Sequence, residues 1–474
     1  MREGIGARWL VRTASIALAL LPAPAMAALA TDTDGDGVSD LVEEAIGTDP
    51  NDPGDNPQAN GDVVFVVPYQ APPEPTAGDL AFVSRLQSLD MYVILDRSGS
   101  MSAEITSVRD NLASAVANLT CPPLGTGDPA ACIPDLWAGA GTVGYSGSGV
   151  DTFRNFVDLQ PSPSFASIPT SEPAGCCTEP LTFSVFATVS GLGSASAGGC
   201  GLSGVPARTT CAGSPAANAG FDTFGYPCFR QDALPVILLA TDEQPLSAGD
   251  TNKCPSWNSV VLPQLTSRSA RLIGIYGSGP AAGTITDLQV MATGTGAVDA
   301  ANGNAPLVFD GAGANAAAAI ENGVRTLASG VPLDLSALLA DDPSDAIDAL
   351  GAFLDHQETL QLGTPECSNM LDAVDTDADT FPDSYVDVRA GTGVCWRLSA
   401  KSNDFVPATD ALQLFRASMR IVGDGVTTLD TRDVFFVVPP APEPASGAQL
   451  LAGACALLAV ARLRRSRSPE RAIG

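Results

Sequence analysis

The chain has 474 residues, of which 45% are hydrophobic and 16% are charged. This composition supports ordinary folded cores and excludes a globally disordered chain, and the length suits two to four domains. The 53 acidic and 24 basic residues give a formal net charge of −29. Such a charge repels nucleic acid and anionic lipid and attracts divalent cations, so no nucleic-acid partner is expected.

The segment 1–27 has the features of a secretory signal peptide. Arginines precede an apolar stretch from Ala14 to Leu21, and Ala25-Met26-Ala27 follows as a small-residue cleavage site. We therefore expect an exported protein. An uncleaved anchor is the alternative, which the short apolar stretch disfavours.

Residues 28–60 contain a calcium-loop pattern. Acidic residues alternate so that three carboxylates can face one ion, and Gly37 permits the sharp turn. The predicted calcium ligands are Asp32, Asp34, Asp36, the carbonyl of Val38, Asp40 and Glu43. With its acidic continuation to Asp55, the stretch resembles a bacterial thrombospondin type 3 repeat. The resemblance implies a calcium-stiffened spacer; a solvated acidic linker is the alternative.

The segment 61–79 is predicted to be a strand followed by a Pro-rich linker. Its sequence from Asp62 to Pro68, with Pro-Glu-Pro after it, is echoed from Asp433 to Pro439, again with Pro-Glu-Pro after it. Both copies are β-branched runs that lead into proline-rich stretches. The two segments could therefore pair in one sheet.

The apolar run from Met91 to Leu95 leads directly into Asp96-Arg97-Ser98-Gly99-Ser100. A continuous apolar run of this length predicts a buried parallel strand, and ligands gather at the carboxyl ends of such strands. A carboxylate and two hydroxyls at alternating positions suit a hard cation such as Mg²⁺. Apolar spacing predicts a helix over Ala103 to Leu119. The alternative is an ordinary serine-rich helix cap.

The order Asp-x-Ser-x-Ser resembles the metal-ion-dependent adhesion site of the von Willebrand factor A family, and residues 80–332 resemble that domain. The later strand from Leu234 to Ala240 is followed by Thr241-Asp242-Glu243, where the family usually has Thr-Asp-Gly. Arg271 to Tyr276 resembles the next strand and Thr286 to Thr293 the helix after it. The resemblance implies an α/β fold with a doubly wound, mostly parallel sheet, here carrying a Cys-rich insertion.

The same resemblance implies functional roles. Asp96, Ser98 and Ser100 would bind Mg²⁺ or Mn²⁺ directly or through water, and Asp242 would hold a metal-bound water. The family adds a threonine from the intervening loop, for which Thr209 or Thr210 is the candidate. An acidic group of a partner protein or other ligand would complete the coordination, and the helix from Ala316 to Ser329 would shift on engagement.

Residues 333–440 are predicted to form a small antiparallel β domain after a partly helical stretch from Pro332 to Gln361. Its strands are expected at Tyr385 to Arg389, Val394 to Leu398, Ala417 to Val422 and Val434 to Val438.

A second acidic cluster repeats the calcium pattern but has Thr380 in place of the turn glycine and no glutamate at the twelfth position. It is a weak calcium candidate or a surface loop, formed by Asp375, Asp377, Asp379 and Asp383.

Residues 441–468 contain Pro442-Glu-Pro444, a 17-residue apolar stretch and an arginine cluster, before a tail at 469–474. This order resembles the PEP-CTERM sorting signal. The resemblance implies at least transient membrane anchoring through this helix, recognition by an exosortase-type machinery, and delivery to the cell surface or extracellular matrix. A buried terminal helix is the alternative.

Eleven cysteines are present, of which Cys455 lies in the apolar tail. The other ten form an even set, typical of a disulfide-bonded exported protein, with Cys367 and Cys395 as the natural pair and the other eight unassigned.

The single histidine, His356, is placed on a predicted helix far from the strand-end motifs, so we expect no enzyme. The sequence predicts a surface protein with a metal-dependent binding site; a structural calcium-binding envelope protein is the alternative.

Overall fold

The computed structural model describes residue 29 and residues 31–144, 152–170, 179–198, 200–246 and 254–441. The predicted signal peptide lies outside these residues, as does the predicted sorting signal apart from residue 441. No helix in the described part of the chain is long and apolar enough to cross a membrane.

Strands and helices are numbered along the chain. The strands are β1 (Val63–Val66), β2 (Ala77–Val83), β3 (Ser88–Asp96), β4 (Asp135–Val143), β5 (Arg154–Gln160), β6 (Thr223–Phe224), β7 (Phe229–Arg230), β8 (Leu234–Thr241), β9 (Arg271–Tyr276), β10 (Val298–Asp299), β11 (Ala305–Pro306), β12 (Val308–Asp310), β13 (Pro332–Asp341), β14 (Leu354–Leu360), β15 (Asp372–Val374), β16 (Ser384–Arg389), β17 (Gly393–Ala400), β18 (Gln413–Gly423) and β19 (Thr427–Val438). The helices are α1 (Asp40–Ile46), α2 (Ser102–Leu119), α3 (Leu181–Ser190), α4 (Pro215–Asn218), α5 (Leu262–Thr266), α6 (Thr284–Gly294), α7 (Ala316–Gly330) and α8 (Ala349–Phe353).

A mixed α/β domain is built on a six-stranded sheet of order β12-β9-β8-β3-β4-β5. All neighbours in it are parallel except β4 and β5, which are antiparallel at one edge. Its central strand β3 is apolar on both faces: Val93 packs with α2 and α7, whereas Tyr92 and Ile94 pack with α3 and α6. Helices therefore cover both faces, which is why the predicted strands are continuous apolar runs.

A second domain consists of two packed sheets. One has the order β1-β19-β18-β13-β16-β15, and the other the order β14-β17-β2. The Trp396 ring of the smaller sheet lies edge-on to Tyr385 of the larger sheet at a centroid distance of 5.1 Å, and edge-on to Phe82 of its own sheet at 5.7 Å. The domain is mostly antiparallel, as expected, but β1 and β19 are parallel.

The two echoed segments pair in register, with Val63 opposite Val434 and Phe65 opposite Phe436. The sequence predicts a strand and a linker over residues 61–79. The strand is present, but the segment is the first part of the β domain rather than a linker. Strand β2 also belongs there, since Leu80 pairs with Trp396 of β17, so the α/β domain begins after Val83 rather than at residue 80. The α/β domain is thus inserted between β2 and β13.

The stretch from Pro332 to Gln361 is mainly extended, which corrects the expectation of partial helicity. Strand β13 buries alternate residues along its first half, and only the five residues of α8 are helical. His356 consequently lies in β14 and not on a helix. Its ring stacks on Phe381 at a centroid distance of 3.7 Å, and its Nδ1 lies 2.9 Å from a carboxylate oxygen of Asp355.

Disulfide bonds join eight cysteines of the described residues. The predicted pair Cys367–Cys395 is confirmed. Cys176, Cys177 and Cys455 lie outside the described residues. The three further bonds are Cys121–Cys132, Cys200–Cys254 and Cys211–Cys228.

The inclusion of β2 in the β domain can be tested by truncating Phe82, which is 3% exposed. We expect Phe82→Ala to lower the free energy of unfolding by about 3 kcal/mol, because it leaves a cavity beside Trp396. Phe405→Ala is the control, since that ring is 69% exposed, and we expect it to change stability by less than about 0.5 kcal/mol. Denaturant unfolding measures both; equal losses would contradict the assignment.

Candidate metal sites

The N-terminal loop brings three of its predicted ligands together. Carboxylate oxygens of Asp32, Asp34 and Asp36 all lie within 4.8 Å of one another. Backbone N–H groups of Gly35 and Gly37 donate to the two oxygens of Asp32 at 2.7 and 3.1 Å. Gly37 has φ of 101°, a left-handed conformation that glycine adopts without strain. The loop is therefore folded tightly around a small acidic pocket.

Several carboxylate oxygens of this loop are buried without a hydrogen-bond partner: one each of Asp34, Asp36 and Glu43. Burial, and then the charges of Asp36 and Asp34, raise the pKa of Glu43, which is fully buried. Unpartnered buried carboxylates are costly, and a divalent cation among them offsets both the desolvation and the repulsion. The donor set is entirely oxygen, which fits calcium.

Asp40 occupies a different position from the three clustered aspartates. Both of its oxygens accept hydrogen bonds from Thr33, one from the backbone N–H at 2.7 Å and one from the hydroxyl at 2.6 Å. The hydroxyl bond in particular lowers the pKa of Asp40. In this arrangement Asp40 braces the loop at the start of α1.

The second acidic cluster has the same hydrogen-bond pattern. Asp375 accepts from the N–H groups of Ala378 and Thr380, and Asp383 accepts from Thr376. Its three clustered aspartates, Asp375, Asp377 and Asp379, are exposed, and none of their oxygens is buried without a partner among the described residues. Calcium binding there stays a prediction.

A second set of predicted ligands meets at the carboxyl ends of β3 and β8. Asp96 is completely buried and accepts hydrogen bonds from the Ser98 N–H at 2.9 Å and the Thr241 hydroxyl at 2.7 Å. The hydroxyl oxygens of Ser98 and Ser100 are 3.0 Å apart. Asp242 lies beside Ser100, is 6% exposed, and has a buried Oδ1 without a partner. The structure thus brings Asp96, Ser98, Ser100 and Asp242 together.

Sequence reasoning missed Glu179, which is 4% exposed and lies two residues before the start of α3. Burial, and next the charge of Glu179, raise the pKa of Asp96 to about 7. Burial also raises the pKa of Asp242, and the charge of Glu104 adds to it. No local motif marks Glu179, because only the packing of α3 on the sheet places it near Asp96. The strand ends therefore hold a concentrated negative charge.

Thr209 and Thr210 are not brought to this site. Both are exposed, and their neighbour Arg208 donates its backbone N–H to the carbonyl of Gly191, which ends α3. Glu179 lies at the other end of that helix, and ten helical residues span about 15 Å. Thr209 and Thr210 therefore lie near the end of α3 that is remote from Glu179.

Glu104, in the first turn of α2, ties together the loops around the strand ends. One of its oxygens accepts from the Ser278 N–H at 2.9 Å, from the Ser278 hydroxyl at 2.5 Å and from the Gly313 N–H at 2.8 Å. Burial raises the pKa of Glu104, but the hydrogen bonds from Gly313 and Ser278 outweigh it and leave the pKa lowered. The start of α7 is thereby fixed against α2.

Replacing Glu104 tests this bracing. We expect Glu104→Gln to lower the free energy of unfolding by about 2 kcal/mol at neutral pH, because hydrogen bonds to a charged acceptor are lost. The folded-state pKa is lowered, so this stabilisation is present above the ordinary pKa and disappears as pH falls through the lowered one. Thermal unfolding should therefore show a lower melting temperature for Glu104→Gln than for the wild type, and this difference in melting temperature should become smaller in acid.

The control is Glu321→Gln, which removes a partly exposed ion pair with Arg325 on α7. Such a pair contributes about 0.5 kcal/mol. A loss for Glu104→Gln no larger than this control, or one that does not change with pH, would contradict the bracing role.

Comparisons with known proteins support the N-terminal assignment. A family model for the bacterial TSP3 repeat matches residues 32–53, which include the calcium loop and α1. This match supports calcium binding at the N-terminal repeat and a location outside the cell or at its surface. No curated protein matches the chain.

Two solved structures are similar to parts of the chain. Proximal thread matrix protein 1 from the mussel byssus is 14% identical, with 53% of this chain and 48% of that chain covered and a TM-score of 0.29. The human COPII-coat protein Sec24c is 7% identical, with 77% of this chain and 46% of that chain covered and a TM-score of 0.30. The chain thus spans about half the length of each, and scores this low do not bear on the fold.

Proposed function

We propose that this chain is an exported bacterial surface or matrix protein that binds a partner through a divalent metal at the ends of β3 and β8. The observation that carries this proposal is the buried, unpartnered Oδ1 of Asp242 beside Asp96 and the two serine hydroxyls. The α/β domain would then be a von Willebrand factor A-like domain, and its metal Mg²⁺ or Mn²⁺. The N-terminal repeat would hold Ca²⁺.

The residues of the site have distinct roles in this proposal. Thr241 and the Ser98 N–H each bond one oxygen of Asp96 and so fix the orientation of that carboxylate. Ser98 and Ser100 supply neutral oxygen donors, which do not cancel the charge of a cation. A bound Mg²⁺ would supply a coordination position for a carboxylate of the partner. Binding, rather than catalysis, is the function that this donor set favours.

Glu179 is our candidate for the position that the family resemblance assigns to Thr209 or Thr210. Its charge beside Asp96 would strengthen the binding of a divalent cation, because the buried carboxylates repel one another when no cation is bound. The same charge would weaken the attraction for an acidic partner. This observation favours the second candidate function, a structural calcium-binding envelope protein without metal-dependent recognition.

Localisation follows from the ends of the chain in this proposal. The predicted signal peptide at residues 1–27 would direct export, and the predicted apolar segment within residues 441–468 would anchor the protein in the membrane at least transiently until an exosortase-type machinery processes it. The partner would be a protein or another acidic ligand at the cell surface. The strongly acidic composition disfavours nucleic acid as a partner.

Metal uptake tests the adhesion site. Calcium-saturated protein, in which the N-terminal loop is already filled, should bind Mn²⁺ measurably by calorimetry. We expect Asp242→Ala to weaken this binding at least about tenfold, equivalent to about 1.4 kcal/mol, because the unpartnered oxygen is lost. Asp110→Ala is the control, since Asp110 pairs with Arg109 on the exposed side of α2.

An open coordination position has its own signature. Protein-bound Mn²⁺ should enhance water proton relaxation, and a glutamate-containing peptide should reduce that enhancement while its glutamine counterpart does not. Absence of Mn²⁺ and Mg²⁺ uptake at millimolar concentrations would overturn the adhesion site. Uptake with no difference between the two peptides would favour the structural alternative.

Calcium binding by the repeat can be tested at adjacent glutamates of α1. Glu43 is buried with an unpartnered oxygen, whereas Glu44 is exposed. We expect Glu43→Gln to raise the calcium dissociation constant at least about tenfold, equivalent to about 1.4 kcal/mol, and Glu44→Gln to leave it within about twofold. Calorimetric titration measures both, and equal effects would contradict the ligand assignment.

A further inference from the structure

The outer face of the β1–β19 pair carries an apolar stripe. Along β19, Val434 and Phe436 face the core between the two sheets, whereas Phe435 and Val437 face outward, beside Val64 of β1. Yet Phe435, Val437 and Val64 are only 5%, 0% and 7% exposed. An outward apolar stripe of this kind needs a cover, because sheets that face water alternate apolar and polar residues.

The cover is the N-terminal repeat. Val38 and Val42 form one cluster with the stripe and are 9% and 3% exposed. Val38 belongs to the calcium loop itself, and Val42 directly precedes Glu43 in α1. The same short segment therefore presents its carboxylates to the acidic pocket and its valines to the sheet.

The local hydrogen bonds of the repeat leave the repulsion among its carboxylates uncompensated without a cation. Helix α1 has seven residues, and helices this short are not stable alone. The loop before it contains clustered carboxylates with buried oxygens that lack partners. A cleft of about 290 Å³ lies where the repeat meets the sheet and is lined in part by Val42, Val64 and Pro75. The contact with the sheet comes from Val38 in the loop and Val42 in α1, so it depends on the conformation of the loop.

We propose that calcium in the N-terminal repeat clasps the repeat onto β1 and β19, so that calcium occupancy sets the stability of the last strand of the β domain. This inference rests on the calcium site of the proposed function and not on the adhesion site. The repeat then acts as a calcium-controlled clasp between the two ends of the folded chain rather than as an independent spacer. In low calcium the stripe of Val64, Phe435 and Val437 becomes accessible.

Hydrogen exchange of the full chain, followed by mass spectrometry with and without calcium, tests the clasp. Peptides from residues 31–47 report the loop, peptides from residues 427–438 report β19, and β8 serves as an internal reference. We expect calcium to slow exchange in the loop and in β19 but not in β8. At a calcium concentration 100 times the dissociation constant, the slowing is at most about 100-fold.

Paired variants of α1 separate docking from calcium binding. Val42→Ser removes the contact with the sheet, whereas Leu41→Ser changes the adjacent residue, which is 36% exposed. We expect Val42→Ser to abolish the calcium response of β19 while the loop still responds, and Leu41→Ser to keep both responses. Val42→Ala is the milder variant if β8 shows that Val42→Ser has unfolded the chain.

The outcomes are distinguishable. If calcium protects the loop but leaves β19 unchanged in the wild-type chain, the clasp is overturned and the calcium site stands. If calcium protects neither region, the calcium site itself fails and the clasp fails with it. If β19 responds equally in Val42→Ser and Leu41→Ser, the response does not pass through the valine contact and the clasp is again overturned.

Discussion

The architecture depends on the parallel pairing of β1 with β19. This pairing joins segments from the two ends of the described chain, with Val64 opposite Phe435 and Val66 opposite Val437. It adds β1 to the edge of the larger sheet of the β domain, and with the pairing of β2 to β17 it leaves the α/β domain as an insertion between β2 and β13. It also creates the outward apolar stripe on which the N-terminal repeat packs. This strand pair therefore determines the position of the calcium loop on the β domain.

Concentrated carboxylate charge is the second constraint. At the ends of β3 and β8, burial and the charge of Glu179 raise the pKa of Asp96 to about 7. In the N-terminal loop, Glu43 is buried among other carboxylates in the same way. Burying like charges together is unfavourable unless a cation or a proton compensates. Both sites therefore concentrate negative charge that needs compensation, although they lie in different domains and are built on different local structures.

Local patterns were read correctly where one segment contains the whole signal. The calcium loop needs only the alternation of acidic residues and a glycine at the turn, and strand β3 needs only its continuous apolar run. The reading was wrong where the signal was distributed. His356 lies in a strand because β14 pairs with β17, and the end of the segment 61–79 is not a linker because β2 also pairs with β17. The pairing of β1 with β19 was itself predicted from the repeated sequence and is confirmed.

The sequence by itself determined the chemistry: the order of acidic residues in the repeat, the Asp-x-Ser-x-Ser turn, and the runs that form the central sheet. These depend on neighbouring residues, whose periodicity and donor atoms are visible in the chain. Only the tertiary structure decided that Glu179, and not Thr209, lies near Asp96, and that the repeat packs on β19. Such contacts between residues distant in the chain depend on how helices and sheets pack, which no local pattern encodes.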